Sequence, residues 1–154
     1  MSNKLVLFYS RTGTTKQTAE MLANILDCDI AEIVSKKKFR GPIGWLSAGR
    51  TAMAEKDVNI VEPEITPENY ELVILCSPVW ASRTAPPAKT WLSQNYVKCS
   101  KLVYLLTFGG SGDNKAFEQL ERIGGKAAAT ISFSDKERKD QLWAGKLKEF
   151  ADKL

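Results

Sequence analysis

The chain has 154 residues, enough for one domain with a sizeable core. With 44% hydrophobic and 26% charged residues it has the balance of an ordinary globular protein. It contains no histidine, which excludes a Ser-His-Asp triad, a Cys-His pair and most zinc sites. The longest apolar runs are far too short to span a bilayer, and Met1-Ser2-Asn3-Lys4 leads straight into a strand without a signal-peptide pattern. Cys28, Cys76 and Cys99 are odd in number and lack metal-ligand spacing, so reduced thiols in a cytoplasmic setting are expected and no metal site is.

Net charge is +4, with basic residues gathered at Lys36-Lys37-Lys38-Phe39-Arg40 and along the last helix. A solvated face is the commonest meaning of such a run. Attraction to an acidic partner, an anionic membrane surface or a nucleic acid is the alternative. No nucleic-acid-binding motif accompanies it.

In chain order, Lys4–Tyr9 reads as a buried strand and Thr15–Leu26 as an amphipathic helix with Ala19, Leu22, Ala23 and Leu26 on one face. Asp29–Val34 reads as a short strand near an edge, and Lys36–Lys56 as a weak helix interrupted by glycines. Val58–Asn69 is rich in breakers and reads as loop. The continuous apolar run Tyr70–Cys76 predicts a central strand covered on both faces. Ser77–Pro87 reads as a long loop, followed by a helix that opens near Pro86-Pro87 and carries Trp91 and Leu92. Leu102–Thr107 is a further buried strand, Phe108–Asp113 a flexible loop, and Lys115–Ile123 a helix stopped by Gly124-Gly125. Ala127–Phe133 is the last strand and Asp135–Leu154 a closing helix. Alternating strands and helices predict a parallel sheet with right-handed crossovers in a single domain over residues 1–154.

In such a sheet, ligands settle at the carboxyl ends of the strands, where strand order reverses. Three loops qualify: Ser10–Thr15, Ser77–Thr84 and Phe108–Asp113. The first is the most telling. A helix start offers N–H groups with no intrahelical partner and the positive end of the dipole, which suits phosphate. Ser10, Thr12, Thr14 and Thr15 add hydroxyls, and Gly13 permits a positive φ and close approach. A merely capped helix would use the same residue types. No Gly-Lys-Ser/Thr follows at P-loop spacing and no G-x-G-x-x-G is present, which argues against an ATPase and a nicotinamide dehydrogenase.

Ser10-x-Thr12-Gly13-x-Thr15 resembles the phosphate loop of flavodoxins. Ser77-Pro78-Val79-Trp80, Ala85-Pro86-Pro87 and Thr107-Phe108-Gly109-Gly110-Ser111-Gly112 resemble that family's later flavin loops. The likeness covers the whole chain in element order and length. It implies an α/β three-layer sandwich whose five-stranded parallel sheet has the order 2-1-3-4-5, with helices on both faces, a fold for which flavodoxin is itself a standard example. It also implies FMN as a non-covalent cofactor. By position, Ser10, Arg11, Thr12, Gly13, Thr14 and Thr15 would hold its phosphate. Pro78, Val79, Trp80 and Ala81 would flank one side of the ring system, and Phe108, Gly109, Gly110 and Asp113 the other edge. Trp80 and Phe108 would stack on the flavin or serve as core aromatics. The flavin supplies the reactivity, so no catalytic side chain is expected.

Two departures from the family bear on function. Electron-carrying flavodoxins are acidic, whereas this chain is basic and has Arg83 in a flavin loop. A cation there raises the potential by stabilising negative charge on the reduced flavin. A glycine peptide that flips in flavodoxins to favour the one-electron state is replaced by Trp80-Ala81-Ser82-Arg83, whose residues disfavour positive φ. The expectation is an FMN oxidoreductase acting by two-electron transfer, with NAD(P)H-to-quinone reduction a candidate. Trp45 and the basic run 36–40 would border the exposed flavin edge. The rival is a one-electron carrier whose basic face meets an acidic redox partner protein.

Overall fold

The structure is a computed structural model describing residues 2–154. Five strands form one parallel sheet: β1 (Lys4–Phe8), β2 (Asp29–Glu32), β5 (Leu72–Trp80), β7 (Leu102–Phe108) and β8 (Ala129–Ser134), in the order β2-β1-β5-β7-β8. Numbered among themselves these strands read 2-1-3-4-5, the predicted order. Register runs from Leu5 opposite Asp29 to Phe108 opposite Ser134.

Strand side chains alternate between two cores. Leu5, Leu7, Val73, Leu75, Tyr104 and Leu106 pack with α3 (Pro86–Asn95) and α4 (Asp113–Gly124) through Ala88, Trp91, Leu92, Ala116 and Leu120. Val6, Phe8, Ile74, Cys76, Val103, Leu105 and Phe133 face α1 (Thr14–Leu26) and α6 (Trp143–Ala151) through Ala19, Leu22, Ala23, Leu147 and Ala151. The result is a three-layer sandwich. Cys28, Cys76 and Cys99 are free, and burial pushes the Cys76 thiol far up.

Four predicted segments differ. Ser77–Pro87 is not one long loop: β5 runs on to Trp80, turns at Ala81-Ser82 and returns as β6 (Arg83–Thr84), with Val79 opposite Thr84. Ser-Pro reads as punctuation, but Pro78 lies beyond the last β1 pair, Phe8 with Cys76, so its missing N–H disrupts no ladder bond on that side. The predicted loop Val58–Asn69 contains β4 (Ile60–Val61), antiparallel to β3 (Val34–Ser35), and a turn of 3₁₀ helix at Pro67–Asn69. Accordingly the strand predicted over Asp29–Val34 is broken at Ile33, which is fully buried.

The closing helix predicted over Asp135–Leu154 is two: α5 (Asp135–Lys139) and α6, separated where Asp140 is extended. Asp135–Asp140 has no apolar residue to bind it to the sheet, whereas Leu147 and Ala151 do so for α6. Ser134 starts α5 with a capping box, accepting from the Glu137 N–H while the Glu137 carboxylate accepts from the Ser134 N–H. The weak helix expected over Lys36–Lys56 is α2 (Gly41–Met53). Among the described residues no helix is long and apolar enough to cross a membrane.

Candidate functional site

At the carboxyl edge of the sheet a crevice of about 570 Å³ opens between the β1–α1 loop, the β5–β6 hairpin and α2. Its floor is the predicted phosphate loop. Ser10, Arg11, Thr12, Thr14 and Thr15 all line it. Gly13 makes the turn into α1 with φ 96, and no side chain caps the helix. The free first-turn amides therefore lie at an opening ringed by hydroxyls. Ser10 Oγ accepts from the Gly13 N–H at 3.1 Å, while Thr15 Oγ1 and Thr107 Oγ1 are 2.8 Å apart and tie the loop to β7.

Arg11 has a structural task. Its Nε donates to the Phe39 carbonyl at 2.6 Å and its terminal nitrogen to the Gly41 carbonyl at 3.4 Å. These bonds fasten the segment leading into α2 to the phosphate loop. Trp80 is packed between Phe39, thus held, and Tyr9, with ring centroids at 5.2 and 5.6 Å from its own. Burial pushes the Tyr9 hydroxyl up to about 12, against the opposing pull of Arg11.

Pro78, Val79, Trp80 and Ala81 line the crevice as a group. Ala81 and Ser82 occupy the left-handed region, with φ 49 and 61. Two such residues in succession define the type I′ hairpin turn, which usually carries Asn-Gly. The left-handed conformation that sequence alone disfavours here is therefore the one adopted, at a cost of roughly 1–2 kcal/mol per residue. The hairpin is braced from α4: the Thr84 N–H donates to Gln119 Oε1 at 2.8 Å, and Ser82 presses on Gly112.

Of the third predicted loop only Gly109 lines the crevice. Phe108 ends β7, and Gly110 is exposed beside it. Asp113 opens α4 and accepts from Ser132 Oγ at 2.8 Å. Arg83, expected beside the ligand, turns to Glu55, 3.9 Å away, where Gln119 and Arg122 also donate to the same carboxylate.

The sequence reading missed most of the opposite wall. Trp45, which it did single out, is joined there by Leu46, Ala48, Gly49, Arg50 and Met53 of α2. This helix buries its small residues, Gly44, Ala48 and Ala52, and exposes its large ones, with Trp45 65% and Met53 67% accessible. That inversion of the usual amphipathic order was the available signal. The crevice contains no carboxylate, and its cations are Arg11 and Arg50. Free helix amides, hydroxyls, aromatic and aliphatic walls and no acid suit a ligand with a phosphate tail and a planar apolar head. Among the described residues no cluster of His, Cys, Asp or Glu could hold a metal ion.

A sequence model described as Flavodoxin matches residues 3–142. No curated protein matches the chain. Among solved structures, a flavoprotein from Lactobacillus acidophilus NCFM, crystallised in complex with FMN, superposes with a TM-score of 0.74 at 24% identity, covering 90% of this chain and 97% of that one. The apo-form of the flavoprotein from that organism, solved by NMR, gives 0.63 at 23% identity, over 91% and 97% of the two chains. A flavodoxin, WrbA-like protein from Agrobacterium tumefaciens gives 0.57 at 11% identity, with 99% of both chains covered. At these identities the structural likeness speaks for the fold. The sequence match over most of the length speaks for more: the chain belongs to the flavodoxin family.

Proposed function

We propose that the chain acts as a single domain that binds FMN without a covalent bond and serves as a two-electron oxidoreductase, taking reducing equivalents from a nicotinamide dinucleotide and passing them to a small quinone-like acceptor. The observation that carries the reading is the uncapped start of α1, ringed by Ser10, Thr12 and Thr14 at the floor of an acid-free crevice. Amides of this first turn would hold the phosphate together with these hydroxyls, and Gly13 would let the main chain approach. Trp80, fixed by Tyr9 and Phe39, would present a rigid face to the ring system, with Pro78, Val79, Ala81 and Gly109 at its edges. Trp45, Leu46 and Met53 would exclude water from the other side. When bound, FMN supplies the capacity to accept two electrons and return them singly or together. The three free cysteines accord with a reducing, cytoplasmic setting.

The turn geometry supports the two-electron version. Flipping the Ala81–Ser82 peptide would convert a type I′ turn to type II′, taking Ala81 to φ near +60° and ψ near −120° (roughly the mirror of a type II turn). Only glycine adopts that region readily. A carbonyl switch at this position is thus obstructed.

The test is a fluorescence-quenching titration of FMN with the purified chain, followed by steady turnover of NAD(P)H with a naphthoquinone. Quenching at one equivalent and turnover without another protein are expected. An absence of quenching would overturn the cofactor. The one-electron carrier remains the second reading because Lys36, Lys37, Lys38 and Arg40 have no ion-pair partner among the described residues and suit an acidic protein. Quenching without turnover, restored by an added reductase, would favour it.

A further inference from the structure

Beside the crevice lies a second, smaller cavity of about 260 Å³. The two share a wall, since Ser10 and Arg11 line both. Lys37, Lys38 and Arg40 complete the cationic lining, and Ser35 and the Glu32–Val34 stretch also line the cavity. Glu32 is the one carboxylate in the wall. Neither it nor any of the three outer cations enters an ion pair among the described residues. These cations outnumber the single carboxylate and repel one another, and an anion seated among them relieves that repulsion.

The cavity is also held in shape. The Lys37 ammonium lies over the Phe39 ring at 5.2 Å from its centre, a cation–π contact that fixes the charge beside the ring. Phe39 is in turn fixed through its carbonyl by Arg11. The Ser35 hydroxyl donates to the Lys37 carbonyl at 2.7 Å and pins the turn that carries the lysines.

We propose that this side cavity is the phosphate subsite for a nicotinamide dinucleotide, whose pyrophosphate rests among Lys37, Lys38 and Arg40 while its nicotinamide enters the adjoining crevice. The chemistry of the two compartments matches the two halves of such a ligand: one is polar and cationic, the other apolar, and they meet at Ser10 and Arg11. Concavity favours a small ligand over a protein face, since the charged and polar residues line a depression instead of crowning a flat patch. The assignment rests on the flavin reading of the crevice, and deepens it by locating the donor.

The test uses the FMN-loaded protein under anaerobic conditions, mixed with NADPH or NADH while flavin absorbance is followed. The observed rate should saturate, at lower concentration with NADPH because of its additional phosphate, and ADP-ribose should compete. The double substitution Lys37→Glu with Lys38→Glu, both at exposed positions outside the crevice, should raise the half-saturating concentration at least tenfold when measured at full FMN occupancy. An unchanged half-saturation in that variant overturns the proposal. So does competition by poly-glutamate where ADP-ribose has no effect, which would mark a docking face for an acidic macromolecule. Should the chain take up no FMN, the flavin reading fails, and the cavity is judged separately by calorimetric titration with ADP-ribose. Binding abolished by the double substitution then upholds the phosphate subsite, and an absence of heat overturns it.

Discussion

Phe39 meets Trp80 edge to face, with ring centroids 5.2 Å apart and planes at 69°. Phe39 is buried and reaches this position through a carbonyl held by Arg11, so the contact links the phosphate loop to the aromatic wall. Phe39→Leu keeps most of the bulk and removes the aromatic pairing, which contributes about 0.5–1.5 kcal/mol beyond burial. The expected outcome is a loss of about 1 kcal/mol in urea unfolding, a shifted Trp fluorescence maximum and a severalfold weaker affinity for FMN. Unchanged affinity with the same loss of stability would confine Phe39 to the core.

Gly13 turns the chain into α1 with φ 96 and has open space where a side chain would lie. Gly13→Ala is therefore opposed by backbone conformation alone, at roughly 1–2 kcal/mol. The variant should lose that much stability and bind FMN more weakly still, because straightening the turn re-aims the amides. Thr12→Val leaves the backbone as it is and removes one hydroxyl. A hydrogen bond to a charged group contributes about 1.5–3 kcal/mol, so FMN affinity should fall at least tenfold with stability nearly unchanged. Quenching titrations beside denaturant curves separate the two effects.

How much of this was legible beforehand follows from where the information sits. The succession of strands and helices was readable from local pattern, apolar runs above all, and so was the hydroxyl-rich turn after the first strand, whereas the order 2-1-3-4-5 and the 78–81 group came only with the flavodoxin resemblance. The α2 wall was not readable, since Leu46, Gly49, Arg50 and Met53 become a wall only when Arg11 bonds to Phe39 and Gly41 draw the helix over the crevice. The orientation of Arg83 was hidden for the same reason. Its partner Glu55 comes from a different part of the chain and is itself placed by Gln119 and Arg122.

Gly112 shows how tightly the hairpin is clamped. A Cβ there would lie 2.8 Å from Ser82 Oγ and 2.9 Å from Ser82 Cα, and its own φ is +101. Gly112→Ala should destabilise the fold by more than the roughly 1–2 kcal/mol of backbone strain alone. Adding Ser82→Gly removes the hydroxyl and relaxes a left-handed residue, so the double variant should recover part of the loss. Strict additivity of the two changes, measured by thermal unfolding, would show that they do not meet.

Glu137 provides a pH signature remote from the crevice. A hydrogen bond from Lys146, followed by the Ser134 N–H, holds its carboxyl below the usual range. A lowered folded-state value means that the contribution is complete above the unfolded carboxylate range and is lost as pH falls through the folded value. Ser134→Ala removes the cap at about 1 kcal/mol. Glu137→Gln should flatten the acid side of the stability curve below about pH 4.3 and leave FMN binding at neutral pH unchanged.

The crevice has two arginines, but only one has a side chain without a protein partner and so free to move toward the ligand. Arg11 is committed to the Phe39 and Gly41 carbonyls, and Arg83 lies outside, turned to Glu55. Arg50 lines the crevice and has no hydrogen-bonded or ionic partner within the described protein. A cation several ångströms from the ring system stabilises negative charge there by on the order of 1 kcal/mol at an effective dielectric near 20. For a two-electron couple that corresponds to about 20 mV. Arg50→Gln should therefore lower the midpoint potential of bound FMN by about that amount, whereas Arg83→Gln should shift it far less and reduce stability instead. Potentiometric titration of both variants decides the point. A larger shift for Arg83 would return the positive field to the hairpin, and equal shifts would mean that net charge acts without regard to position.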